Sequence, residues 1–246
     1  MPSATKTIQA CALAAALALP PAMATAAEGM RLEGDIGLAV LHTPSEVRGE
    51  RARYVAVPYV SASYGPLFAR IDTFGLQVLP LGYGHVEVVG QIRSDGYDAV
   101  GLQHRRDATP LGIGTLQITP VGAFGLHVLR DFGRSGGTLA QLRYLAELRL
   151  GRLTIYPEFG AEYQSRAYTG YYAGTTAADA AFVGRDYQPR AAVNPYLGAL
   201  VEIPLRDRWY TNVYLRRTVV DDTIARSPLV ANRHRDSGLI ALAYRF

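Results

Sequence analysis

The chain ends in the stretch that decides the fold, Ser237-Gly238-Leu239-Ile240-Ala241-Leu242-Ala243-Tyr244-Arg245-Phe246. In an extended strand, successive side chains point to opposite faces. The face that carries Ile240 is therefore apolar, whereas the face that carries Arg245 is mainly small or polar, and Tyr244 and Phe246 place aromatic rings at the terminus. This pattern is typical of a barrel strand between lipid and a lumen. The alternative is an edge strand of a soluble sheet.

The same alternation recurs along the chain from residue 31 onward, in segments punctuated by Gly, Pro, Asn and Asp. A repeat of two indicates strands that separate two environments. Two of the segments are short, and without 67–72 and 74–80 the predicted number of strands falls from twelve to ten. The predicted strands cover residues 31–42, 53–64, 67–72, 74–80, 85–94, 111–118, 121–131, 138–150, 153–164, 191–203, 209–220 and 237–246.

The predicted connections alternate between short turns and long loops. Tyr64-Gly65-Pro66 and Gly151 make tight turns, whereas the loops at 95–109, 166–189 and 221–234 are long. Short periplasmic turns with longer outer loops are typical of outer-membrane barrels. We therefore expect an all-β fold, an antiparallel transmembrane β-barrel in a Gram-negative outer membrane. A soluble two-sheet protein would also alternate, because its polar faces would be solvated.

The N-terminal segment predicts export. Lys6 precedes an apolar run of about a dozen residues, and Ala24-Thr25-Ala26 offers a cleavage site of the A-x-A kind. The run is shorter than the roughly 20 apolar residues of a membrane-spanning helix. We expect residues 1–26 to be a signal peptide and residues 27–246 to form the barrel.

Composition and motifs exclude several classes of protein. Removal of residues 1–26 takes away Cys11, the single cysteine, so a disulfide scaffold is excluded. The arginines are scattered among acids rather than clustered, which argues against nucleic acid as a partner. The sequence has no Gly-rich loop between a predicted strand and a helix, so nucleotide binding is not indicated. No His or acidic residues have the spacing of metal ligands. We expect no cofactor and no metal.

The polar faces of the second half carry charged residues. If these faces line the lumen, their arginines and carboxylates must be paired, because an unpaired buried charge is costly. A catalytic pair of carboxylates is the alternative reading, but we favour a structural network. The lumen charges expected in this network are Arg143, Glu147, Arg149, Glu158, Glu162 and Glu202.

One group of residues suggests a hydrolase. His127 lies near Asp131 and Ser135 in the sequence, and these residue types can form a nucleophile with its base. On a strand, however, His127 and Asp131 would lie about 13 Å apart, at roughly 3.3 Å per residue. No oxyanion hole is evident beside Ser135. We therefore expect no catalytic residues and no enzymatic activity.

Several short motifs, taken in order, resemble the MipA/OmpV family (MltA-interacting protein) of Gram-negative outer membranes. They are Pro58-Tyr59-Val60 with Tyr64-Gly65, Arg130-Asp131 before Gly136-Gly137, Tyr171-Tyr172-Ala173-Gly174, Ser227-Pro228-Leu229-Val230 and the final Tyr244-Arg245-Phe246. The resemblance implies twelve strands and a non-enzymatic scaffold that links a murein hydrolase to a murein synthase. The partners implied are a murein lytic transglycosylase and a penicillin-binding protein. The first loop, 42–51, departs from the acidic loop typical of the family.

Other partners follow from the location. We expect outer-membrane lipid, lipopolysaccharide and the barrel-assembly machinery. The bases Arg233, His234 and Arg235 suit lipopolysaccharide phosphates, although an exposed loop explains them equally. Alternative functions are a surface adhesin or a small-molecule or lipopolysaccharide-binding barrel, acting through the loops at 166–189 and 221–234, and a hydrolase at the rim.

Overall fold

A computed structural model of the chain describes residues 31–44 and 46–246. The expected signal peptide, residues 1–26, and the expected start of the mature chain at residue 27 lie outside the described residues. The described strands are β1 (Leu32–Thr43), β2 (Arg53–Tyr64), β3 (Leu67–Arg70), β4 (Thr73–Leu81), β5 (Gly84–Gln91), β6 (Leu111–Thr119), β7 (Gly122–Arg130), β8 (Thr138–Leu145), β9 (Leu148–Leu150), β10 (Leu153–Gln164), β11 (Ala192–Pro204), β12 (Trp209–Val219) and β13 (His234–Arg245).

These strands form one closed antiparallel barrel. Strands that follow each other in the sequence pair with each other, except β8 and β9, and β1 closes the barrel by pairing with β13 from Asp35↔Arg245 to His42↔Gly238. β8 and β9 pair with β10 one after the other, so in the described residues the wall contains twelve strands. The prediction of twelve strands is confirmed.

The predicted strand 138–150 is interrupted in the structure, and a proline explains the interruption. Ala146 N–H donates to Pro157 O on β10 at 3.0 Å. Pro157 has no N–H with which to return the bond, so the ladder breaks between β8 and β9. The two pieces keep the same register against β10, and together they act as one strand of the wall.

The barrel wall separates an apolar outer face from a packed lumen. On β13, Ile240 and Leu242 are exposed to 60% and 48%, whereas Leu239 and Ala241 are exposed to only 4% and 1%. Exposed apolar residues in alternation with buried ones are what a lipid-facing wall requires. The faces expected for the closing strand are those of the structure.

The two ends of the barrel differ. The short-turn end, which also carries the C-terminus, has the turns 65–66, 82–83, 120–121, 151–152 and 205–208. The long-loop end has the tight turn 71–72 and the loops 44–52, 92–110, 131–137, 165–191 and 220–233. By the usual orientation of outer-membrane barrels, the short-turn end faces the periplasm and the long-loop end faces outward.

On the side formed by β3, the barrel wall is short along the direction of its strands. β3 has four residues and pairs only with the last four residues of β2. Its turn to β4 places Ile71 at φ 59°, a conformation that a two-residue turn normally gives to glycine and that strains a β-branched residue. Above this turn, no described strand pairs with the free edge of β2. Pro58 lies on that stretch, where a proline blocks strand addition.

The long loops contain helices that the sequence analysis missed. The expected loop 166–189 contains α1 (Arg166–Ala173) and α2 (Ala177–Val183), and the expected loop 221–234 contains α3 (Asp222–Ala225). α2 begins with a capping box, in which Thr176 and Asp179 bond each other's backbone N–H. No helix among the described residues is long and apolar enough to cross a membrane.

Two of the predicted strand boundaries differ from the structure near arginines. β5 ends at Gln91 rather than at residue 94, and Arg93 lies just beyond this end with its side chain in the lumen. β13 begins at His234 rather than at Ser237, so Arg235 belongs to the barrel wall. Both arginines are members of the network described next.

Candidate functional site: the charge network of the lumen

The centre of the network is Arg93, which follows β5 and reaches across the lumen to β10. Its guanidinium donates two hydrogen bonds to the Glu162 carboxylate, at 2.7 and 2.9 Å, and its Nε donates to Asp95. The side chains of Arg93 and Glu162 are only 9% and 3% exposed. A bidentate guanidinium–carboxylate pair is among the strongest polar contacts in proteins. This pair therefore ties opposite parts of the wall together.

Arg235 extends the network toward the first loop. Its Nη1 donates to Asp95 at 2.9 Å, and its Nε lies 2.7 Å from Glu46. The hydroxyl of Tyr168, in α1, also donates to Asp95. We call these residues, with Arg93 and Glu162, the outer network. It joins two long loops, α1, β10 and β13, and so it closes the lumen beneath the long-loop end.

The outer network keeps Asp95 ionised. Burial alone would raise the pKa of this carboxyl group, but Arg93 and Arg235 outweigh burial and hold the pKa of Asp95 well below its usual range. Three carboxylates alternate with two guanidinium groups in the network, so every arginine lies between two acids.

A cavity of about 70 Å³ lies beside the outer network, bounded by Glu46, Asp95, Tyr97, Tyr168 and Arg235 among others. Pockets for drug-sized ligands are about 300–1,000 Å³. This cavity has room for a few water molecules, and as it stands it does not fit a ligand of that size.

Two further charge contacts lie in the middle of the lumen. Arg70 on β3 donates to Glu87 on β5 at 2.7 and 3.0 Å, and Glu87 is buried. Tyr214 on β12 donates its hydroxyl hydrogen to Glu158 on β10 at 2.6 Å. The lumen is thus crossed by hydrogen-bonded side chains from several strands.

The short-turn end has its own charge cluster, which we call the inner clamp. Arg245 on β13 donates to Asp35 on β1 at 2.7 and 2.9 Å, and to Glu202 on β11 at 2.6 Å. Its guanidinium also lies over the ring of Tyr210, 4.0 Å from the centroid. The clamp fastens the strand pair that closes the barrel.

The structure distributes the predicted lumen charges among different partners. Glu162 and Glu202 belong to the outer network and the inner clamp, and Glu158 binds Tyr214. Glu147 and Arg149 are exposed at the short-turn end, where they bond each other at 2.6 Å.

Arg143 lies half-buried on β8, opposite Gly160 rather than opposite an acid. The arginines that supply the pairing, namely Arg70, Arg93, Arg235 and Arg245, are absent from the predicted set of lumen charges. One signal was available, since Arg93 and Arg245 had been assigned to polar faces. Glu162, the partner of Arg93, lies across the lumen on β10, where strand periodicity carries no information. Asp35, in contrast, is the register partner of Arg245 on the neighbouring strand β1.

The suggested hydrolase group is only partly assembled. Ser135 Oγ donates to Asp131 at 2.8 Å, and Asp131 also accepts backbone N–H groups from residues 133–135. His127 is 5% exposed and faces the lumen, and its Nε2 makes no hydrogen bond to any described residue. Asp131 therefore organises its own turn, and the described contacts do not link it to His127.

The bases proposed for lipopolysaccharide are engaged elsewhere. Arg235 is bound within the outer network, and Arg233 pairs with Asp222 at 2.8 Å. The interpretation of Arg235 as an exposed phosphate ligand is wrong, because the residue belongs to the inner face of β13. Tyr244, from the closing signature, packs against Trp209 with 5.4 Å between centroids, and Phe246 N–H donates to Gly34 O.

A closed antiparallel barrel with an apolar outer wall, a charged lumen and ends of unequal loop length defines an outer-membrane β-barrel protein. Among the described residues no group of three or more potential metal ligands occurs. The family model described as MltA-interacting protein MipA matches residues 36–246, and the chain belongs to this family. The resemblance seen in the short motifs is confirmed.

The relatives are distant and carry outer-membrane names. The chain is 21% identical to the putative outer membrane protein YiaT of Escherichia coli over 230 residues, which cover 87% of this chain and 91% of YiaT. It is 26% identical to the MltA-interacting protein of E. coli over 149 residues, 59% of each chain. It is 24% identical to OmpV of Vibrio cholerae over 147 residues, 59% of this chain and 57% of OmpV.

Proposed function

We propose that this barrel is a non-enzymatic scaffold whose periplasmic end engages enzymes of murein turnover. The family description names an interaction with MltA, and one relative bears that name. On this proposal the partners are a murein lytic transglycosylase and, with it, a penicillin-binding protein. The outer network supports a role other than a channel, because its buried side chains bond to each other across the lumen below the long loops.

The surface that carries the proposal is the short-turn end. Its turns are brief, so a partner meets a flat rim rather than a cleft. Arg152, Arg206 and Arg208 are exposed on this rim, and Val121 and Leu205 add exposed apolar contacts. Such a rim suits a partner with an acidic surface and a small apolar centre.

Direct binding tests the proposal. The detergent-solubilised barrel is immobilised and exposed to a purified lytic transglycosylase of the same bacterium, at two salt concentrations. We expect retention that falls with salt and that weakens about tenfold when Arg152, Arg206 and Arg208 are all changed to Gln. Failure of the wild-type barrel to retain the enzyme, or equal retention by the triple variant, would contradict it.

The non-enzymatic part of the proposal rests on the incomplete hydrolase group. A nucleophile needs its base within about 2.6–3.2 Å. Among the described contacts, Ser135 bonds to Asp131 and not to His127. We expect purified protein to leave lipid, peptide and glycan substrates intact. Turnover that disappears in both Ser135→Ala and His127→Ala would refute this.

One observation favours an outer-surface role as a second candidate. Val100 is 86% exposed at the tip of a long loop, and Phe182 of α2 packs over the neighbouring Gly101 while remaining 62% exposed. Exposed apolar patches mark interaction sites. If this patch mediates adhesion, Val100→Ser with Phe182→Ser will reduce attachment of whole cells to a host surface at unchanged barrel level. Unchanged attachment would remove this candidate.

The aromatic residues at the end of the closing strand, Tyr244 and Phe246, have a proposed partner of their own. Phe246 follows directly after β13, the strand that closes the barrel, and we propose that the barrel-assembly machinery recognises this end. Deletion of Phe246 should lower the yield of folded barrel in the outer membrane, measured by heat-modifiable gel migration. A normal yield would contradict the proposal.

A further inference from the structure

Three exposed arginines lie close together at the long-loop end and have no acidic partner among the described residues. Arg130, Arg134 and Arg166 are exposed, and in the described part of the chain none of them forms an ion pair. Arg217 and Arg233 of the same end, in contrast, pair with Asp236 at 2.7 Å and with Asp222 at 2.8 Å. The three side chains are therefore free to bind an anion from outside the protein.

The topology brings these arginines to three adjacent strand ends. Arg130 ends β7 and is the register partner of Thr138, the first residue of β8. Ser165 N–H donates to Thr138 O at 2.9 Å, which places the end of β10 beside them, and Arg166 follows directly. Arg134 lies in the loop between β7 and β8. We call Arg130, Arg134 and Arg166 the rim patch.

The rim patch lies directly above the lipid-facing wall. Arg130 shares its strand face with Leu126 and Val128, which are exposed apolar residues. The ring of Phe132, which is 73% exposed, lies under the Arg130 guanidinium, 6.0 Å from its carbon. An aromatic ring beside a base, at the top of an apolar wall, is the usual composition of a membrane interface.

The nearest acid in the sequence does not neutralise the patch by pairing. Asp131 is buried, and its carboxylate accepts hydrogen bonds from the hydroxyl of Ser135 and from backbone N–H groups of its own loop. The patch thus consists of three exposed guanidinium groups at neighbouring strand ends, and Arg130 stands directly above the apolar wall. Guanidinium groups bind phosphate oxygens in a bidentate manner.

We propose that the rim patch binds the phosphate groups of a phosphorylated glycolipid in the outer leaflet. The acyl chains of such a lipid lie along the apolar wall below, while its phosphates meet Arg130, Arg134 and Arg166. This site is at the opposite end of the barrel from the proposed enzyme-binding rim, so the two functions are independent.

Lipid retention in native mass spectrometry tests the site. Detergent-purified wild-type protein is titrated with bisphosphorylated lipid A and, in parallel, with dephosphorylated lipid A. We expect at least about tenfold stronger retention of the phosphorylated form, as charge-assisted hydrogen bonds imply. Equal retention of the two forms by the wild type would overturn the proposal without any variant.

Matched variants locate the site. The triple change of Arg130, Arg134 and Arg166 to Gln should abolish the preference for the phosphorylated lipid, whereas the triple change to Lys should keep part of it. The control changes Arg152, Arg206 and Arg208 to Gln, which removes the same charge from the other end. Heat-modifiable migration confirms folding of each variant. A preference retained by the rim variant, or lost in the control, would place the binding elsewhere.

Discussion

The outer network and the inner clamp use the same chemistry in different surroundings. Arg93 is 9% exposed and lies between two acids inside the lumen, whereas Arg245 is 40% exposed and binds its two acids at the open end. Taking a charge out of water is expensive, so the loss of one partner matters most where water cannot replace it. We therefore expect burial, rather than the number of ion pairs, to decide how strongly each end depends on its arginine.

The largest expected effect is at Arg93. Arg93→Gln leaves Asp95 and Glu162 without their shared base, and we expect a loss of about 3–5 kcal/mol in unfolding free energy. Urea unfolding in lipid vesicles measures the loss. Adding Glu162→Gln to this variant should cost little more, because one uncompensated charge disappears. Full additivity of the two changes would show that the pair is not coupled.

The second-largest loss of stability is expected from a charge placed in the barrel wall between the two ends. Leu142 and Leu148 both face lipid, but Leu142 lies near mid-wall and Leu148 lies close to the short-turn end. We expect Leu142→Arg to cost about 2–4 kcal/mol and Leu148→Arg about 0–1 kcal/mol. The same vesicle titration compares them. Equal costs would mean that the membrane is not centred on the middle of the barrel.

The inner clamp should give a smaller loss than the outer network. Arg245→Gln removes charge-assisted hydrogen bonds to Asp35 and Glu202, and we expect a loss of about 1.5–3 kcal/mol. Arg149→Gln is its control, because that arginine is 80% exposed and pairs only with Glu147; exposed pairs contribute about 0–1 kcal/mol. A larger loss at Arg149 than at Arg245 would reverse the proposed order.

The smallest effect is expected from mild acid. The pKa of Asp95 is depressed in the folded protein, so its contribution is complete above the ordinary carboxyl pKa of about 3.9 and disappears as the pH falls toward the folded value. The stability difference between wild type and Asp95→Asn should therefore be constant from pH 8 to about pH 5 and should shrink below about pH 4. A difference that changes near neutrality would assign the titration to another group.

The sequence was most informative where one residue faces lipid and the next faces the lumen. The alternation of Ile240 and Ala241 predicted their faces, because a strand has no other way to separate two environments. The short segments 67–72 and 74–80 are predicted as strands, and in the structure β3 and β4 complete the wall. The same alternation predicts one strand over 138–150, where the structure has β8 and β9. It carries no information on Pro157 of the neighbouring strand, which breaks the ladder.

The contacts of the lumen could not be predicted in the same way. Arg93 and Glu162 are 69 residues apart, and nothing local indicates that they meet. The helices of the long loops were missed for a related reason, because seven or eight residues show too little of a helical repeat. The capping box of Thr176 and Asp179 was the one local signal of α2.

The low side of the wall changes how the protein sits in a bilayer. At β3 the strand ladder stops four residues above the short-turn end, while β2 beside it continues for the full 12 residues. Ile71 and Ile92, both exposed, mark the upper limit of the apolar band on this side. The hydrophobic thickness offered to lipid is therefore unequal around the circumference. A membrane of uniform thickness must thin beside β3, or the barrel must tilt toward it. Either response makes the bilayer around the barrel different on the β3 side from the other sides.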